Sequence, residues 1–145
     1  MQQTAQEKED RIFAQELITG TKDHIGNCPL QLVDENSAPS FAKLALRSGE
    51  YPLAGYVMDT ISSNYAGFVY TNKRIIYCTE YRQGTGSIFY EDVSNITKTK
   101  EVLLFGECKM KINGITMPMV TSYTQMTINR YIEMTEKFVY HFKNR

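Results

Sequence analysis

Two apolar runs, Phe68-Val69-Tyr70 and Ile75-Ile76-Tyr77, flank the polar tetrad Thr71-Asn72-Lys73-Arg74. No other stretch of the chain constrains its fold as strongly. The pattern reads as a β-hairpin, with Asn72 able to accept the unusual backbone of a tight turn. Leu53–Met58 precedes it as a first strand, across the polar loop Asp59–Asn64. The extended texture continues through Ser87–Tyr90 and Val93–Lys100, after the loop Gln83-Gly84-Thr85-Gly86. Asn113-Gly114, between Glu107–Ile112 and Ile115–Met119, signals a second hairpin, because that pair supplies the positive φ angles of a type I′ turn.

Helical periodicity takes over near the end. Ile128, Tyr131, Ile132, Thr135, Phe138, Val139 and Phe142 recur at helical spacing after the capping box Ser122-Tyr123-Thr124-Gln125. An amphipathic helix over about 123–143 is predicted, with Asn129, Arg130, Glu133, Glu136, Lys137 and Lys143 mostly on its polar side. It should close the open end of a curved antiparallel sheet, and burying Ile128, Ile132, Phe138 and Phe142 should contribute roughly 1.5–3 kcal/mol each. Nearer the start, Thr4-Ala5-Gln6-Glu7 is another capping box. With Ile12, Phe13 and Leu17 as a modest stripe and Gly20 as a stop, it predicts a helix over about 5–18. Residues 19–39 read as loop with one short strand at Leu30–Val33, and Ser40 as the cap of a short helix from Phe41 to Arg47.

The run from Gly67 to Tyr77, followed by Ser87 to Ile96, resembles the bacterial pleckstrin-homology-like domains, relatives of GRAM-type domains, over roughly residues 49–143. The resemblance implies an α+β fold: about seven antiparallel strands in two packed sheets, a partly open barrel, capped by a C-terminal helix. On that reading residues 49–145 are the domain, and residues 1–48 are an N-terminal helical extension that packs on it or meets a partner. Eukaryotic relatives that bind phosphoinositides use Lys and Arg clustered around the first strand–strand loop. The matching loop here, Asp59–Asn64, has no basic residue and one acid, so that mode of binding is not expected.

Charge narrows the function further. Lys plus Arg and Asp plus Glu both number 16, so nothing draws the chain as a whole to a phosphate backbone, and nucleic acid is not an expected partner. No apolar run approaches the roughly 18 residues that span a bilayer. The polar start, Met1 to Glu7, matches neither a signal peptide nor a myristoylation site, and a cytoplasmic location is expected. Cys28, Cys78 and Cys108 are odd in number and irregularly spaced, as suits small core residues in a reducing compartment.

The residues with potential chemistry do not form a catalytic set. His24 and Cys28 are separated by Gly26 and followed by Pro29, which spoils a shared helical turn, and no second pair completes a zinc spacing. Cys78 sits in a strand without a nucleophile elbow, and adjacent Glu91-Asp92 point apart in an extended chain. Gly84-Thr85-Gly86 precedes a strand, whereas phosphate loops precede a helix. Accordingly no catalytic residue, metal or cofactor is expected. Lys98 and Lys100 share one strand face, and Lys109 and Lys111 share another; neighbouring strands would gather them into an anion-binding patch. Ile12, Phe13 and Leu17 on the first helix, and Leu103, Leu104 and Phe105 in the run after Val102, are candidate partner-binding anchors. The leading expectation is a non-enzymatic module that binds another protein or another copy of itself. Its alternatives are a membrane-surface adaptor that reads lipid headgroups through the lysines, with membrane contact allowed but not favoured, and a small phage or mobile-element inhibitor that blocks a host protein.

Overall fold

The Thr71–Arg74 turn is organised by a hydroxyl. In the computed structural model, which describes residues 3–25, 29–58, 66–79, 84–100, 107–119 and 123–144, Thr71 Oγ1 accepts from the amides of Lys73 and Arg74, both at 3.0 Å. Asn72 has a different task from the one expected. Among described non-glycine residues only Asn113 has a positive φ. The Asn72 side chain instead accepts from the Tyr51 amide at 2.9 Å and donates to Gly49 O at 3.1 Å, tying the preceding loop to the hairpin.

This hairpin joins β3 (Ala66–Thr71) to β4 (Arg74–Cys78). With β1 (Leu30–Leu32), β2 (Pro52–Met58) and β5 (Thr85–Phe89) they form an antiparallel sheet of order β1-β2-β3-β4-β5. A 3-10 turn over Tyr90–Asp92 leads to β6 (Ile96–Lys98). Beyond it lie β7 (Glu107–Cys108), β8 (Met110–Ile112), β9 (Ile115–Thr116) and β10 (Tyr123–Thr124). These make a three-stranded sheet β6-β8-β9 and a two-stranded ladder β10-β7. The fold is α+β with antiparallel sheets and a C-terminal helix, and among the described residues the strands do not close into a barrel. Gly67 is required where β3 crosses β2: its φ is 139°, and a Cβ there would meet Tyr56 O.

Three helices cover the five-stranded sheet: α1 (Ala5–Ile25) and the long α3 (Gln125–Lys143) belong to the main core, and short α2 (Ser40–Lys43) to a smaller one. β3 is buried along its whole length because both faces are covered. Phe68 and Tyr70 join the main core with Ile128, Tyr131, Met134 and Phe138 of α3. Val69 points the other way, into the second cluster with Phe41 and Ala42 of α2 and Ile76 and Cys78 of β4. A strand clad on both sides reads as a continuous apolar run, which is what the sequence carries.

Several expected boundaries shift. Gly20 does not stop α1, which continues to Ile25; Thr21 is buried there and its hydroxyl bonds Leu17 O at 2.8 Å. Packing of α1 on α3, β1 and β2 outweighs the cost of about 1 kcal/mol for a glycine inside a helix. Ser40 is the first residue of α2 and not its cap, a position taken by Pro39. Thr124 caps α3, accepting from the Thr127 amide at 3.3 Å, whereas Ser122 lies outside the described residues. The division expected at residues 48 and 49 is not a packing boundary: Ala14, Ile18 and Leu30 share one cluster with Tyr51, Tyr56 and Phe138, and β1 pairs with β2.

Candidate functional site

An amphipathic helix laid on a sheet leaves its polar stripe outward, and on α3 that stripe forms one side of an open cleft of about 1010 Å³. Glu133, Glu136, Lys137 and Tyr140 line it from the helix, opposite the extended segment Val93–Ile96. Tyr140 is 73% exposed, a large aromatic ring offered to solvent.

The opposite wall is held by the residue that makes the second hairpin. Asn113 (φ 51°) and Gly114 (φ 80°) both adopt the left-handed backbone that the Asn-Gly pair predicts. The Asn113 carboxamide then reaches sideways: Oδ1 accepts from the Ser94 amide at 2.8 Å and its hydroxyl at 2.9 Å, and Nδ2 donates to Asp92 O at 2.8 Å. Further along, Lys98 Nζ donates to Gln125 Oε1 at 3.2 Å and Asn129 Oδ1 at 3.1 Å, so β6 is tied to the first half of α3.

At its other margin the cleft meets the seam between α1 and α3. Phe13 stacks on the His141 ring at 3.9 Å with 9° between planes, and meets Phe138 edge-on at 5.6 Å. Behind His141, Asp10 is fully buried; it accepts from the Tyr51 hydroxyl at 2.5 Å, and its other oxygen lies 3.2 Å from His141 Nε2. Sequence reasoning missed Asp10. The available signal was its spacing, four residues before Ala14 and eight before Ile18, which puts it on the stripe that is buried.

A second buried polar cluster braces the sheet. Arg74 donates to both oxygens of Glu50, at 2.9 and 3.0 Å, and to Ala45 O at 2.6 Å. Burial pushes the Glu50 carboxyl up, but hydrogen bonds from Arg74, Thr71 and the Arg47 amide outweigh it and hold the group below the usual carboxylate range. The Tyr90 hydroxyl moves the other way, raised first by burial and then by its neighbours Tyr70, Glu50 and Asp10.

The expected site residues are dispersed. Phe13 and Leu17 are half-buried against the chain's own core, while Ile12 is 58% exposed. Leu103, Leu104 and Phe105, like the Asp59–Asn64 loop, lie outside the described residues. β6 and β8 are neighbours, as the lysine patch requires, but their register divides it. Lys98 lies opposite Met110 on the face that also carries buried Ile112, whereas Lys111 lies opposite Thr97 on the outer face, with Lys109 two residues before it. Lys100 is exposed just past β6. Cys78 is buried in the smaller cluster, away from the α1–α3 seam where His141 sits. Among the described residues no group of three or more His, Cys, Asp or Glu is placed to hold a metal ion, and no helix is long and apolar enough to cross a membrane. No family model, no curated protein and no solved structure matches the chain.

Proposed function

We propose that this protein is a non-enzymatic protein-binding module of the pleckstrin-homology-like type, and that it engages its partner across the cleft between α3 and β6. The order of a β2–β5 meander, a second small antiparallel sheet and a closing helix supports the type. The observation that carries the binding role is the cleft itself: an exposed aromatic, Tyr140, beside a strand paired on one side only among the described residues. Exposed aromatic rings are enriched where proteins bind one another, and strand edges supply backbone bonds to a partner. Splitting the lysines over two faces of the β6–β8 pair argues against a flat lipid surface as the primary ligand.

The test is selective loss of capture. Tyr140→Asp should retain the wild-type circular dichroism and melting temperature yet lose the protein captured by the intact chain from native cells. Leu44→Asp, at a still more exposed position (88%) just after α2, should lose nothing. Equal capture by wild type and both variants refutes the assignment of the cleft.

A further inference from the structure

The charges that line the cleft come in an order. Along α3 the acids Glu133 and Glu136 precede the bases Lys137 and Lys143. A uniformly acidic or basic partner would gain on one half of this row and lose on the other. A helix that carries the same order and lies antiparallel gains on both halves.

The outward face of α3 supplies the register. Met126, Arg130, Glu133, Lys137, Tyr140 and Asn144 recur at steps of four and three, the spacing at which two helices meet along a seam. This row lies opposite buried Tyr131, Thr135 and Phe138. Met126 (75% exposed) and Tyr140 stand near its two ends, large apolar side chains held out in water. Lys137 makes no ion pair among the described residues, and Glu133 has an exposed contact with Arg130 at 3.4 Å, a kind of pair worth little.

Two copies of this row, antiparallel about a two-fold axis between Glu133 and Lys137, bring Glu133 onto Lys137 and Arg130 onto the Tyr140 ring, each twice. Met126, one turn before Arg130, covers the same ring. A parallel copy would instead set Glu on Glu and Lys on Lys. We infer that the partner of the cleft is a second copy of this chain, docked through an antiparallel α3–α3 contact in which Tyr140 of each copy meets Arg130 and Met126 of the other. This rests on the protein-binding reading above and names its partner. Glu136 is the exception to the complementarity: it comes beside its own copy near the axis, which keeps the dimer weak and reversible.

The experiment is sedimentation equilibrium of the full chain. The wild type should form a dimer at high micromolar concentration, and rising salt should weaken it. Glu133→Lys alone and Lys137→Glu alone should each lower the dimer affinity by at least about tenfold, because like charges then meet at both symmetry-related contacts. Mixed in equal amounts, these two variants should recover a dimer close to that of the wild type, since every Lys again meets a Glu. Both positions are exposed, so each variant should keep the wild-type circular dichroism and melting temperature. Glu136→Gln should tighten the dimer by about threefold. The inference is overturned by a wild type that stays monomeric, by single variants that dimerise as the wild type does, or by a mixture that recovers nothing. A dimer that Glu136→Gln loosens also overturns it. If the wild type is monomeric while Tyr140→Asp loses a captured protein of different sequence, the cleft reading survives and only the self-pairing falls. If Tyr140→Asp changes neither capture nor dimerisation, both fall.

Discussion

α1 and α3 close the same core by different means. α3 buries a continuous apolar stripe, Ile128, Tyr131, Met134, Phe138 and Val139, and keeps its charges outside. Among its described side chains α1 contributes only Ala14 and Ile18 as fully buried apolar groups, and places Asp10 and Thr21 among them. Its neighbour Arg11 reaches the carbonyls of Val33 at 3.2 Å and Pro52 at 3.1 Å. One helix is held by area, the other by a few directed bonds. Apolar burial tolerates small displacements, whereas a buried carboxylate demands its partners in place.

The sharpest way to break this contrast is to remove area from α3. Phe138 is fully buried and stacks on Tyr70 at 4.4 Å, so Phe138→Ala should cost about 3–5 kcal/mol in chemical denaturation. A loss under about 1 kcal/mol would mean that α3 is not held by its stripe. Next comes the directed bond of α1. Asp10→Ala leaves the Tyr51 hydroxyl and His141 without their shared acceptor and should cost about 1–3 kcal/mol, with raised amide exchange confined to α1 and its contacts. An Asp10→Ala melt identical to wild type would show the polar contact to be incidental. The smallest effect tests the length of α1. A Cβ at Gly20 meets nothing within 4 Å, so Gly20→Ala should stabilise the protein by about 0.4–1 kcal/mol. Destabilisation would restore Gly20 as a helix end.

The same contrast governs what was legible in the sequence. The 3.6-residue period of α3, the two apolar runs around Thr71–Arg74 and the Asn113-Gly114 turn are local signals, and each lies where it was read. The continuation of α1 past Gly20 was obscured because it depends on packing against α3, β1 and β2, elements that arrive from elsewhere in the chain. No window of neighbouring residues contains that information. Phe13 and Leu17 looked like anchors for a partner because the helix alone shows no cover for them; the cover is the main core beside α3. The lysines were read as one patch because each pair shares a face of its own strand; only the register, Lys98 opposite Met110 and Lys111 opposite Thr97, puts the two pairs on opposite faces. The cleft was invisible for the same reason, since α3 and Val93–Ile96 are brought together by Asn113 and Lys98 through bonds between distant residues.

The contact between Asp10 and His141 joins residues 131 positions apart. On a ribosome, α1 is therefore synthesised long before the helix that completes its seam. Through that interval Phe13, Ala14 and Ile18 lack the surface of α3 against which they finally rest. Closing so long a loop is entropically expensive and slow compared with forming the β3–β4 hairpin. The natural order of assembly is then a sheet that forms first and two helices that seat late, one against the other. The directed bonds of α1 suit that order: a helix that docks last into a nearly finished surface benefits from a lock that admits a single register.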